Sequence, residues 1–198
     1  MSVQGTAGYA GQVQLPDLVA KAVALAQRAG FAKSCRPEQG RLLFALAAGA
    51  RGSIGETGTG CGVGLAWMIA GRRPGVRVVS VERDLELVES SAELFADVPD
   101  VEIVHGDWTR IYDHGPFDVL VVDGGGNGKQ TPAADPERLL TPAGSIVIDD
   151  FTPLGQWPPM HDGQPDTARM AWLNHPALFA TEVRLAPDLS TIIGTRRP

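Results

Sequence analysis

Glycine takes every second position from Gly58 to Gly64 in the stretch Glu56-Thr57-Gly58-Thr59-Gly60-Cys61-Gly62-Val63-Gly64. That spacing lets a chain turn sharply and lay its backbone against a ligand without interference from Cβ atoms. A tight turn alone needs only one such glycine, so the series points to a bound molecule. The dinucleotide fingerprint G-x-G-x-x-G is not met: counted from Gly58 the sixth position is Val63, and counted from Gly62 it is Trp67. A nicotinamide cofactor is thereby disfavoured.

In an open parallel sheet, ligands bind beyond the carboxyl ends of the strands. Residues that directly follow apolar runs are therefore the ones to inspect, and here they are Glu56 to Gly64, Glu82, Gly106-Asp107, Asp123 and Asp149-Asp150. Glu82 stands 18 residues after Gly64, where a carboxylate accepts two hydrogen bonds from ribose hydroxyls. Asp84, two positions on, is the better candidate for capping the next helix. Asp107 is placed to accept from an adenine amine while Trp108 covers a ring face; the competing reading is a helix cap beside a packing Trp. With Glu56, Gly58, Thr59, Gly60, Gly62 and Asp123 these residues make the candidate cofactor wall, and the implied ligand is an adenosine derivative.

The elements needed to hold these residues can be read from the apolar pattern. Leu15, Val19, Val23 and Ala26 predict a helix over 15–29, with Pro16 in its first turn and Gly30 as its stop. Leu42, Leu43 and Leu46 predict another over 37–48, started by Ser34 or the residues just before Pro37. From Ser53 strands and helices alternate: a short strand into the glycine turn, a helix from about Val63 to Ala70, a strand Val76 to Val81, and a helix Leu85 to Phe95. Strands Val101 to His105 and Phe117 to Val122 follow, then a helix near Pro132 to Leu140 and a strand Ser145 to Ile148. This rhythm predicts a parallel sheet covered on both faces, with Val119-Leu120-Val121-Val122 and Ile146-Val147-Ile148 as central strands. After a Pro-rich loop and a helix near Thr167 to Leu173, the runs Phe179 to Leu185 and Ser190 to Gly194 read as an antiparallel hairpin across Ala186-Pro187-Asp188-Leu189.

At 198 residues the chain suits one domain: a flexible arm over 1–14, helices over 15–50 and an α/β core over 51–198. Its net charge of -6 disfavours a nucleic-acid partner, and no apolar run reaches the roughly 20 residues that span a bilayer. The N-terminus lacks the basic start and apolar core of a signal peptide, so a cytoplasmic protein is expected. Cys35 and Cys61 show no metal-ligand spacing and are read as reduced thiols.

Taken together, the Glu-x-Gly-x-Gly-x-Gly turn, the acidic end of the second strand and the Gly-Asp after the third resemble a class I S-adenosylmethionine-dependent methyltransferase over about Arg41 to Gly194. The resemblance implies a Rossmann-like, doubly wound, seven-stranded sheet, mostly parallel, closing in a C-terminal antiparallel hairpin, with helices on both faces. It also implies that the Gly58 to Gly62 backbone lies near the methionine moiety and that Glu82 holds the ribose. More narrowly, Gly40-Arg41-Leu42-Leu43, Asp123 and Ile148-Asp149-Asp150 resemble the catechol and caffeoyl-coenzyme A type of small-molecule O-methyltransferase. That likeness implies magnesium or another divalent cation held by Asp123, Asp149 and Asp150. Two differences stand out: the family's Asp-Asn pair is Asp149-Asp150 here, and the lysine that follows the fourth-strand Asp is displaced beyond Gly124-Gly125-Gly126-Asn127-Gly128 to Lys129.

The expected reaction is methyl transfer to a small hydroxylated acceptor, with Asp123 as the catalytic group and a homodimer as the assembly to test. A metal-independent N-, protein- or RNA-directed methyltransferase and a non-enzymatic cofactor-binding scaffold are the alternatives. The loop Thr152 to Pro165 is read as a substrate lid, with His161 as a candidate base set against an exposed loop histidine. His105, His114 and His175 show no partner in the sequence.

Overall fold

The computed structural model describes residues 5–123, 129–130 and 134–198. The Gly124 to Gly128 run, the Pro132 start of the predicted fifth-strand helix and the first residues of the arm lie outside the described residues. A seven-stranded sheet runs through the molecule in the order β3-β2-β1-β4-β5-β9-β8. Its members are β1 (Ser53–Thr57), β2 (Arg77–Glu82), β3 (Val101–His105), β4 (Phe117–Val122), β5 (Leu140–Phe151), β8 (Leu178–Ala186) and β9 (Leu189–Arg196). Strands β1 to β5 pair in parallel, whereas β9 runs antiparallel to both β5 and β8. The predicted architecture is the one observed.

Alternation along the central strands divides the core in two. Val119, Val121 and Val147 face one side with α1 (Asp17–Arg28), α2 (Pro37–Ala47), α3 (Val63–Gly71) and α4 (Leu85–Phe95). Leu120, Val122, Ile146 and Ile148 face the other with the 3-10 segment Trp108–Asp113, α5 (Pro136–Leu139) and α6 (Thr167–Leu173). Continuous apolar runs are what such strands need, because successive side chains enter opposite cores. Helix α3 is buried over most of its length, Val63 to Met68, since α1 and α2 both pack on it. Among the described residues no helix is long and apolar enough to cross a membrane.

Three boundaries differ from the sequence reading for tertiary reasons. Strand β5 extends to Phe151, well past Ile148, because β9 pairs along its outer edge as far as Phe151 and Ser190. Helix α5 shrinks to one turn, capped by Asp135, whose Oδ1 accepts from Glu137 N at 2.9 Å. The stretch read as an arm holds a 3-10 turn, Thr6–Tyr9, in which both end residues are buried. Thr6 Oγ1 donates to Phe31 O at 2.5 Å, and Tyr9 Oη donates to Cys35 O at 3.0 Å while accepting from Trp67 Nε1 at 2.9 Å. A buried phenol requires such partners, and they fasten this segment behind residues 31–35. The Thr152 to Pro165 loop carries a two-stranded ribbon of its own, β6 (Met160–His161) with β7 (Gln164–Pro165).

Candidate active site

Strand order reverses between β1 and β4, and a cavity of about 430 Å³ opens at that point. A crevice at such a switch point is where this class of sheet binds ligands. Its floor is the turn after β1. Gly58, Gly60 and Gly62 have φ of 88°, 54° and 77°. At Gly62 the left-handed backbone coincides with close packing, because a Cβ there would meet Phe95 at 2.5 Å. The turn then leads straight into α3.

Glu82 fastens this floor. Its Oε2 accepts from Gly60 N at 2.9 Å, and its Oε1 accepts from Arg83 N at 2.8 Å and Asp84 N at 2.9 Å. Asp84 caps α4 through Glu86 N and Leu87 N, as the sequence suggested. Glu82 and Trp108 both line the cavity, with Gly106 beside them. Asp107 does not: its carboxylate caps the 3-10 segment through Thr109 N at 3.1 Å and Thr109 Oγ1 at 2.7 Å. Those bonds hold it below the usual carboxylate range. The cap reading of Asp107 is thus the one its geometry favours.

At the other end of the cavity stands Glu56, which is 3% exposed and accepts from Ser80 Oγ at 2.6 Å. Burial pushes its carboxyl up to about 8 against the opposing Ser80 bond, with Asp123, Glu82 and Asp149 adding to the rise. An acid raised in this way contributes stability that is full below its unfolded value of 4.5 and is lost as pH climbs through about 8. The melting temperature of the ligand-free protein should therefore fall from about pH 5 to about pH 9. Glu56→Gln should flatten that fall in a calorimetric series; an equally steep fall in the variant would remove Glu56 as its source.

Asp123 is held at the end of β4 by Thr57, whose Oγ1 donates to Asp123 O at 3.0 Å. Asp123, Asp149 and Asp150 come together: each offers a carboxylate oxygen, and these atoms lie within 4.8 Å of one another. Asp149 is buried, and its Oδ1 accepts from Asp150 N at 2.6 Å. Burial, Asp123 and Asp150 push its carboxyl up to about 8, with Lys129 and Gln39 opposing. Asp150 has φ of 55°, a left-handed geometry that Asp tolerates better than most residues. Lys129 Nζ donates to Asp149 O at 2.6 Å, so the displaced lysine still reaches this strand end.

The 152–165 loop contributes no residue to the cavity wall, and His161 is exposed beside Asp162 at 3.6 Å. The other histidines are outside the wall too: His105 Nε2 meets Arg83 O at 3.1 Å, His114 meets Glu102 at 3.6 Å, and His175 stacks on Trp172. Sequence reasoning missed the wall opposite the glycine turn, formed by Phe31, Lys33, Ser34, Cys35, Gln39 and Leu43. Cys35 is part of it, its thiol pushed up by burial. The available signal was the break between the first two helices, which must cross the mouth of the turn.

A family model described as protein-L-isoaspartate(D-aspartate) O-methyltransferase matches residues 40–149, more than half of the chain. The chain belongs to this methyltransferase family. No curated protein matches the sequence. Among solved structures, the methyltransferase resembles cofactor-bound Rv0187 from MTB, with a TM-score of 0.77 and 23% identity over 96% of this chain and 94% of that one. It also resembles the O-methyltransferase TomG from Streptomyces achromogenes in complex with SAM, with a TM-score of 0.76 and 20% identity over 98% and 96% of the two chains. An O-methyltransferase from Bacillus cereus in complex with SAH gives a TM-score of 0.74 at 19% identity, again over 98% and 96%. At such identities the shared property is the fold. Family membership and fold agree that this is an S-adenosylmethionine-dependent methyltransferase.

Proposed function

We propose that the enzyme transfers the methyl group of S-adenosylmethionine to a hydroxyl oxygen of a small acceptor, with Asp123 as the group that orients the hydroxyl and takes up its proton. The observation that carries this reading is the convergence of Asp123, Asp149 and Asp150 at the ends of β4 and β5, with Asp123 in the wall of the donor cavity. The donor would lie along the ends of β1 to β3, its ribose against Glu82 and its adenine beside Gly106 and Trp108. The acceptor would approach from the β4 and β5 side.

In this displacement the acceptor oxygen supplies the electron pair of the new O–C bond, and the old C–S pair stays on sulfur, leaving a neutral thioether. The sulfonium already activates the carbon, so alignment and removal of one proton are what the protein must add. Asp123 lines the cavity where both are possible. The three carboxylates fit a hard divalent cation such as magnesium, since all offer oxygen and one is buried among like charges. When bound, such an ion would lower the pKa of the acceptor hydroxyl.

The test is methyl transfer from labelled S-adenosylmethionine to a panel of phenols, catechols and aliphatic alcohols, with an isoaspartyl peptide alongside. Transfer to a hydroxyl compound is expected, reduced about tenfold or more by exhaustive chelation and restored by magnesium. Transfer only to the peptide would overturn the acceptor assignment, and activity indifferent to chelation would overturn the cation.

A further inference from the structure

Gln39 stands in the cavity wall with no role in the mechanism above, and the structure holds it there firmly. It lies on α2 one turn beyond Arg36, whose Nη1 donates to Asp188 Oδ1 at 2.8 Å and ties the helix start to the β8–β9 turn. Its neighbour Gly40 rests on Trp67: a Cβ at that position would meet the indole Nε1 at 2.1 Å. Trp67 in turn donates to Tyr9 Oη. These contacts fix the rotation of α2.

The Gln39 side chain is 1% exposed, yet neither its Oε1 nor its Nε2 completes a hydrogen bond among the described residues. Native interiors rarely leave a primary amide in that condition, because it has given up water without replacement. Gln39 lines the cavity with Asp149 as a polar neighbour, and an amide whose N–H side is turned to a carboxylate offers its carbonyl oxygen on the other side. Glu56 and Asp123 line the same cavity. This end of the site is therefore rich in oxygen acceptors, and its complement is a compact cation with several N–H donors. An anionic group there would meet like charge.

We propose that Gln39 is a donor-binding residue whose Oε1 receives the α-ammonium group at the amino-acid end of S-adenosylmethionine, between Glu56 and Asp123. The assignment rests on the reading of the cavity as the S-adenosylmethionine site. It makes Gln39 the residue that distinguishes the full cofactor from adenosine thioethers lacking the amino acid. Once the ammonium is seated, the sulfur is fixed along the line toward Asp123.

Calorimetric titration with S-adenosylhomocysteine and with 5′-methylthioadenosine tests this directly, because only the first carries the amino-acid end. In Gln39→Leu, affinity for S-adenosylhomocysteine should fall about tenfold or more while that for 5′-methylthioadenosine stays within about twofold. Gln39→Glu keeps an acceptor oxygen at the same place and should bind S-adenosylhomocysteine within about threefold of the parent. Equal weakening of both ligands in Gln39→Leu would indicate a structural role and overturn the proposal. Unchanged binding of both, or a loss in Gln39→Glu as deep as in Gln39→Leu, would overturn it as well. If the parent protein bound neither ligand, the cofactor reading itself would fail, a result distinct from the others.

Discussion

Turnover of the Asp123→Ala enzyme should fall by about two to four orders of magnitude, the range that a positioned proton acceptor supplies. Affinity for S-adenosylhomocysteine should fall far less, by no more than about tenfold, since Asp123 neighbours only the ammonium end and most of the donor's contacts lie elsewhere in the cavity. The reason is placement. Asp123 is locked between β4 and β1, with its N–H donating to Thr57 O at 3.2 Å and its carbonyl accepting from Thr57 Oγ1, so its carboxylate is presented at a fixed height beside the cavity. Asp123→Asn keeps the shape and loses the proton acceptance, and should be nearly as slow. Single-turnover measurement at saturating donor separates this loss from weaker binding. Turnover unchanged in either variant would remove Asp123 from the chemistry.

The second large effect belongs to donor binding. Glu82→Ala should weaken S-adenosylhomocysteine about a hundredfold, because the proposed ribose contact makes Glu82 the acceptor for two hydroxyls, each bond to a charged group being worth about 1.5–3 kcal/mol. The same carboxylate accepts from Gly60, Arg83 and Asp84, so its loss also frees the glycine turn from the start of α4. Glu82→Gln retains one acceptor oxygen and should fall between the two. The discriminating readout is calorimetry against the nucleoside adenosine: a ribose contact predicts that adenosine loses as much affinity as S-adenosylhomocysteine. Parent-like affinity for both ligands in Glu82→Ala would show that Glu82 does not hold the ribose.

Strand ends were the most legible part of the site. Glu56, Glu82 and Asp123 follow apolar runs in a parallel sheet, and the switch-point rule sends such residues to one crevice, where the structure has them. Asp107 follows the same pattern and yet faces Thr109, because a carboxylate before a short helical turn has a nearer set of N–H partners than the crevice offers. Position at a strand end is therefore not sufficient. Gln39 was invisible for the opposite reason: nothing in Pro37-Glu38-Gln39-Gly40 marks it, and its burial follows from the contact between Gly40 and the indole of Trp67, distant in sequence. The loop after β5 reads as a lid because it is Pro-rich and follows the Asp pair. What the sequence does not show is how its base is held, by Arg169, whose Nη2 donates to Thr152 O at 2.8 Å, and by Glu182, which accepts from Leu154 N at 3.2 Å.

By itself the sequence determined the order of strands and helices, the glycine turn and the strand-end carboxylates, because these depend on local periodicity and backbone freedom. Tertiary structure decided what distance along the chain conceals. The pairing of β9 with β5 carries that strand past Ile148 to Phe151. The Thr6–Tyr9 turn backs residues 31–35, which with α2 build the wall opposite the glycines. Three aspartates from two strand ends crowd together until burial and mutual repulsion push Asp149 up to about 8. Charge repulsion and desolvation act through space and are set by which elements the fold makes neighbours, so no spacing along the chain encodes them.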